Sequence, residues 1–279
     1  MKRLFDEVSE ICSKVVTQSY STSFSLATKM LSNSIRNDIY NIYGFVRFAD
    51  EIVDSFHNYN KKELLDKFEN ELHYALENKI SLNPILNSFQ KTVHKYNIDF
   101  ELIKSFMKSM RWDLNKKKYL NKTEFNDYIY GSADVVGLMC LKVFVKGNKS
   151  MYDDLRPYAM ALGSAFQKVN FLRDLKDDHI GLNRSYFPNL NFDNFDEDAK
   201  NVILKEIDDD FKKAVVGIFK LPNSARFGVY TAYKYYLKLL NKLRATPPIK
   251  IKSTRIRVPN YQKMNVLARS YVRYRLNIL

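Results

Sequence analysis

The stretch Arg47-Phe48-Ala49-Asp50-Glu51-Ile52-Val53-Asp54 sets two aspartates four residues apart in a segment whose apolar residues keep helical spacing. Residues at i and i+4 share one face of an α-helix, with Cβ atoms roughly 5–6 Å apart. Upstream, Tyr43, Arg47, Asp50 and Asp54 follow i, i+4, i+7, i+11, one polar stripe flanked by Phe45, Val46 and Ile52. Asn170-Phe171-Leu172-Arg173-Asp174-Leu175-Lys176-Asp177-Asp178 repeats the arrangement. There Gln167, Asn170, Asp174 and Asp178 form the stripe, beside Val169, Leu172 and Leu175. Both stripes predict helices that are otherwise buried and turn an acidic edge inward.

Working outward, the same periodicity dominates the chain. Leu4, Val8, Ile11 and Val15 predict an amphipathic helix near the start. Segments around 35–56, 61–76, 99–114, 123–144, 151–178, 197–217, 225–243 and 261–277 carry helical spacing too. Breaks fall at Asn83-Pro84, Gly147-Asn148, Asn183 to Pro188, Leu221-Pro222 and Pro247-Pro248. Strand-like alternation is not sustained anywhere; Ile249 to Val258 comes nearest and reads as a short extended segment or a basic loop. With no internal repeat and no low-complexity linker, the expectation is one all-α domain over residues 1–279.

Gly (8) and Pro (7) are scarce in 279 residues, so the composition is globular rather than disordered. The formal charge of +14 suits nucleic acid, an anionic membrane surface or phosphorylated substrates. A nucleic-acid binder would concentrate Lys and Arg on one helix within a recognisable module, and neither is present. Two cysteines, Cys12 and Cys140, lack metal spacing and make no disulfide framework, which points to a reducing, intracellular setting. No apolar run follows Met1-Lys2-Arg3 and none elsewhere is long enough to span a bilayer. The chain is expected to be cytoplasmic, or peripheral on the inner face of an anionic membrane.

Two carboxylates held at i, i+4 repel each other unless a cation sits between them. Mg²⁺ takes hard oxygen ligands and binds through a few carboxylates together with substrate phosphates; zinc would want His or Cys, and neither cluster contains one. A lone Asp-x-x-x-Asp is usually a solvated acidic face. Two of them, each with polar companions and apolar flanks, point to paired metal clusters. Tyr20-Ser21-Thr22-Ser23-Phe24-Ser25, taken alone, reads as a cap or turn before a helix. Tyr128 to Gly137 mixes Tyr with small residues, leaving room for a bulky apolar ligand or for close helix packing. The four histidines are scattered, and no Gly-rich phosphate loop or nucleophile elbow is present.

These residues resemble the squalene/phytoene synthase family over nearly the whole chain, most of all its bacterial phytoene synthases. Ser21-Thr22-Ser23-Phe24 is similar to the family's N-terminal Ser-x-Ser/Thr-Phe. Tyr43 to Asp54 resembles its first acidic motif, and Tyr128 to Met139 its Tyr-rich helix. Gln167 to Asp178 with Arg184-Ser185-Tyr186-Phe187-Pro188 resembles its second acidic motif and the loop that follows. The resemblance implies an all-α isoprenoid synthase-type helical bundle around a central cavity, the two acidic helices facing each other across its mouth.

By that resemblance Asp50, Asp54, Asp174 and Asp178, with Asn170, would hold Mg²⁺, for which Mn²⁺ is a substitute. Arg47, Gln167, Asn170 and Arg173 would bind phosphate or shape the metal site; Ser21 and Ser23 would contact diphosphate, and Tyr186 substrate. Phe24, Tyr128 and Tyr236 would lie near the reacting carbons. The implied reaction joins two prenyl diphosphates head to head through a cyclopropyl diphosphate: two geranylgeranyl diphosphates to phytoene, without NADPH. The alternatives are dehydrosqualene or squalene from farnesyl diphosphate, or a non-catalytic relative acting as an assembly factor. Two positions depart from the family pattern: Glu51 where many members have Asp, and Asp134 where many have Gly.

Overall fold

The computed structural model describes residues 1–182, 184–188, 190 and 192–275, and among them every regular element is helical. The order is α1 (Lys2–Tyr20), α2 (Thr22–Lys29), α3 (Asn33–Asp54), α4 (Lys61–Asn78), α5 (Pro84–Tyr96), α6 (Phe100–Asn115) and α7 (Lys122–Ile129). A single π-helical turn, Tyr130–Asp134, joins α7 to α8 (Val135–Phe144). Then follow α9 (Lys149–Arg173), α10 (Leu175–Leu182), α11 (Glu197–Lys220), α12 (Asn223–Arg244), α13 (Pro248–Ser253) and α14 (Asn260–Arg275).

Side-chain caps set many of the starts. Asn60, Asn83, Asp99, Asn121, Asn148 and Asp196 each accept a hydrogen bond from a backbone N–H in the first turn that follows. Lys79 and Asn97 end α4 and α5 in the left-handed region. Leu221-Pro222 separates α11 from α12, and Pro247-Pro248 opens α13. Asn183 lies outside the described residues.

The core is continuous. Phe45 of α3 stacks on Phe89 of α5 with ring centroids 4.0 Å apart and touches Phe68 and Phe106 of α4 and α6. α3 is therefore wrapped on several sides, which fixes where its acidic edge can point. α9 lies against both α8 and α11 and carries the second acidic edge at its C-terminal end. Gly131 is required in the π turn, because a Cβ there would meet Ser109 Oγ of α6 at 2.0 Å.

Three expectations from the sequence change. The second acidic stripe is not one helix: α9 stops at Arg173, Asp174 adopts φ −99 and ψ 9, and α10 starts at Leu175. The hydrogen bonds from Asp174 N to Asn170 O and from Asp178 N to Asp174 O keep the four-residue register across the bend. The basic stretch after Pro247 is helical as far as Ser253 and irregular only from Thr254. On α1 the faces are reversed. Leu4, Val8, Ile11 and Val15 are exposed, whereas Ser9, Ser13 and Thr17 are fully buried. Ser13 Oγ meets Ser88 Oγ of α5 at 2.7 Å and Ser9 Oγ accepts from Asn87 Nδ2, so hydrogen bonds rather than apolar contact seat this helix.

Candidate active site

The acidic edges of α3 and α9–α10 meet at one end of a cavity. Asp50 and Asp54 come from the last turn and a half of α3; Asp174 and Asp178 come from the bend and from α10. Three of the four carboxylates, Asp50, Asp54 and Asp174, are paired with a guanidinium. Arg47 pairs with Asp50 and Glu51, and its guanidinium lies 4.5 Å from the ring centroid of Tyr20. Arg173 pairs with Asp174 through Nε at 2.8 Å and also through Nη2, and Arg255 Nε reaches the same carboxylate at 2.7 Å. Arg184 Nη1 meets Asp54 Oδ1 at 2.7 Å, while its Nη2 donates to the backbone carbonyl of Asp113 at 2.7 Å.

Burial and mutual repulsion raise the acids. Asp50 is pushed up to about 7, first by loss of solvent and then by Asp54. Asp178 is pushed up to about 7 by burial, by Asp174, and by Asp54 across the cleft. Asp113 stands at about 8, chiefly because it is buried. Arg184 pays for burial too, yet Asp113, Tyr186 and Asp54 more than offset that and hold it charged. Cations crowd as well: burial, Arg173 and Arg257 together lower Lys263. Carboxylates that repel one another beside cations that repel one another make a site that gains from a ligand carrying both signs.

Below this mouth lies the cavity, about 1350 Å³ including its open end. Its wall along α9 runs from Asn170 and Gln167 through Phe166, Gly163 and Ala159 to Leu155. Ser132, Ala133, Val136, Gly137 and Cys140 face it from the π turn and α8; Phe24 and Thr28 face it from α2 and Leu31 from the link to α3. Phe24 stacks on Tyr43 at 4.5 Å, and Tyr236 stacks on Phe166 at 3.8 Å while donating its hydroxyl to Asn170 Oδ1 at 3.3 Å. At the far end Tyr158 sits over Gly217, where a Cβ would come within 2.3 Å of the tyrosine's own Cβ.

The structure brings Arg47, Asp50, Asp54, Arg173, Asp174 and Asp178 to the mouth, with Gln167, Asn170, Phe24 and Tyr236 just below. Ser21 caps α2, accepting from Phe24 N at 3.2 Å, and Ser23 is half-buried in its first turn. Tyr128 and Tyr186 stand elsewhere. Both are buried behind the acidic cluster, rings 5.4 Å apart; Tyr128 donates to Asp113 at 2.8 Å and Tyr186 stacks on Phe171 at 3.9 Å. The π turn explains this. Its extra residue rotates α8 relative to α7, so Ser132, Ala133 and Val136 face the cavity while Tyr128 faces α6.

Arg184 enters the sequence reading only through the loop after the second acidic motif and Arg255 only through the basic C-terminal stretch, while Asp113 belongs to no motif; the structure seats all three beside the acidic cluster. Asp113 continues the apolar register Ile103, Phe106, Met110 of α6, and a carboxylate on a buried stripe was the available signal. Asp134 is off the cavity wall, buried near Asp210 and Lys168, with Oδ1 unpartnered. Burial first, then Asp210, pushes it up to about 8. Its native state holds a proton that the unfolded chain has released above the ordinary carboxylate range, so it erodes stability as pH climbs from about 4 to 8. Asp134→Asn is expected to flatten that decline, by up to about 1.4 kcal/mol per pH unit. Melting curves between pH 5 and 8 check it, and parallel curves for the two proteins would refute it.

The model of the family described as squalene/phytoene synthase matches residues 17–262, nearly the whole helical array and every residue at the mouth except Lys263. The chain belongs to that family. Phytoene synthase 1 of Solanum lycopersicum is 26% identical over 263 residues, covering 88% of this chain and 62% of that protein. Phytoene synthase of Arthrospira platensis is 26% identical over 293 residues, covering 96% and 93%. The chain thus spans less than two thirds of the tomato relative and nearly all of the Arthrospira one. A dehydrosqualene synthase crystal structure superposes with a TM-score of 0.82 at 20% identity, covering 97% and 98%, so this squalene/phytoene synthase family member has the same all-α fold.

Proposed function

We propose that the protein condenses two prenyl diphosphates head to head and that geranylgeranyl diphosphate is its substrate, phytoene its product. The depth of the cavity carries the choice of chain length. From Asn170 to Leu155 the wall follows α9 for fifteen residues, about 22 Å at 1.5 Å per residue. An extended chain gains roughly 1.1–1.2 Å per bond, so a C20 prenyl chain reaches about 17 Å and a C15 chain about 13 Å. A trough of this depth takes the longer chain from the diphosphate site without folding it. Apolar walls keep water from quenching a carbocation, and Phe24, Tyr43 and Phe166, the last backed by Tyr236, line its upper part.

Mg²⁺, or Mn²⁺ in its place, would be held by Asp50 and Asp54 on one side and by Asp174, Asp178 and Asn170 on the other. Among the described residues no three acidic, His or Cys side chains converge on one point, so an ion would take a few carboxylates and complete its shell with substrate phosphate and water. That is a magnesium-like donor set, and the burial and mutual repulsion that raise Asp50 and Asp178 give the cation its hold. When bound, the metal neutralises the leaving diphosphate. Arg47, Arg173, Arg255 and Lys263 would bind its oxygens, Ser21 and Ser23 would receive the other diphosphate, and Gln167 would orient the reacting ends. Phytoene formation draws on no NADPH. No described helix is long and apolar enough to cross a membrane, and the charge of +14 supports a peripheral seat on anionic lipid near the greasy substrate.

The test is incubation with geranylgeranyl and farnesyl diphosphates, with and without Mg²⁺, followed by product identification. Phytoene from the C20 substrate is expected; turnover of farnesyl diphosphate alone would overturn the choice of substrate. Cys140→Phe sharpens the test, because Cys140 lies on the α8 wall toward the deep end. It is expected to lower kcat/KM on the C20 substrate about a hundredfold or more while sparing the C15 chain. An equal loss on both substrates would remove the depth argument.

A further inference from the structure

Among the described residues the apolar face of α1 has no partner. At 100° per residue, Leu4, Val8, Ile11 and Val15 centre about 170° around the helix from Ser9, Ser13 and Thr17, so they point straight away from the body. All four are exposed, at 63%, 47%, 57% and 54%. Their spacing is 4, 3, 4, which is the a/d seam of a coiled coil, with Val8 and Val15 at a and Leu4 and Ile11 at d. Surface residues dispersed singly need no explanation, but a heptad seam turned to solvent does.

We propose that this face pairs with a second copy of the same chain as an antiparallel two-helix seam about a twofold axis. Charge selects both partner and direction. The g positions flanking the seam are Glu7 and Lys14. In an antiparallel pair that sets Val8 against Ile11 of the second copy and Leu4 against its Val15, Glu7 falls opposite the second copy's Lys14. The twofold repeats that contact, as an isologous interface requires. Lys14 is exposed and has no partner of its own among the described residues, and Glu7 touches only Arg3 of the same exposed turn. A parallel pair would not bring the two together. Lipid is the poorer occupant, because an interfacial helix surrounds its apolar face with Lys and Arg. Here three bases (Lys2, Arg3, Lys14) are balanced by three acids (Asp6, Glu7, Glu10).

A seam from one 19-residue helix per copy lies at the small end of specific interfaces, so the dimer is expected in the micromolar range. Sedimentation velocity on the full chain, up to about 100 µM, should show a reversible monomer–dimer equilibrium. Ile11→Lys should abolish the dimer with an unchanged melting temperature, since the position is exposed. Glu7→Lys or Lys14→Glu alone places like charges opposite each other twice and should weaken the dimer about tenfold. Glu7→Lys with Lys14→Glu restores the complement and should return the constant to its original value. A chain monomeric at every concentration overturns the proposal, as does a dimer indifferent to Ile11→Lys. Loss of dimer in Ile11→Lys without rescue in the charge-swapped pair overturns the antiparallel seam. A monomer whose Ile11→Lys variant loses binding to phosphatidylglycerol vesicles gives the face to lipid instead.

Discussion

Asp50→Asn and Asp174→Asn are each expected to cut turnover by about 10²–10³ while leaving the fold intact. The two carboxylates are placed differently, so the variants probe different sides of the mouth. Asp50 is shared with Arg47 and pressed by Asp54; Asp174 sits at a bend, clasped by Arg173 and Arg255. Removing Asp50 from its crowded anionic pair relieves repulsion, so the melting temperature of Asp50→Asn should hold or rise, whereas Asp174→Asn also takes the countercharge from Arg173 and Arg255 and should lower it by a few degrees. Steady-state rates across a Mg²⁺ titration, with calorimetry beside them, provide the measurement. Full activity in either variant, or activity undiminished by EDTA, would contradict the metal assignment.

Arg184→Met should be the most damaging change to stability. The guanidinium side chain is only 6% exposed and ties together Asp54, the Asp113 carbonyl and the Tyr186 hydroxyl. Methionine keeps the bulk but strands a carboxylate and a buried carbonyl, at a cost of about 3 kcal/mol. In a chain of this size the melting temperature should then fall roughly 6–12 °C. Asp54→Asn in the same chain should recover part of the loss, because the stranded charge is gone. A fall of less than about 2 °C would mean that water replaces the guanidinium without penalty.

Most helices were legible because their apolar residues recur with the period of an α-helix and bury themselves on one side. The reading fails where that premise fails. α5 carries Asn87, Ser88, Gln90 and Thr92 on its buried face, so its periodicity is diluted. α1 packs through serines and a threonine and leaves Val8 and Val15 outside. These faces meet one another: Ser13 with Ser88, Asn87 with Ser9, Asn41 of α3 with Thr92. A hydrogen-bonded interface of small polar residues has no apolar signature. Asp50, Asp54, Asp174 and Asp178 were legible because their spacing is local. Arg184 and Asp113 owe their place to contacts across 130 and 71 positions of sequence, which no local pattern carries.

The π turn between α7 and α8 makes chain length itself a variable of the cavity. Side-chain replacement edits the wall one position at a time. Losing a single residue from Tyr130–Asp134 would instead turn all of α8 by about 100° relative to α7, exchanging Val136, Gly137 and Cys140 for a different set in one step. Within this fold a one-codon deletion is thus a larger jump in ligand shape than any point substitution on the same helix.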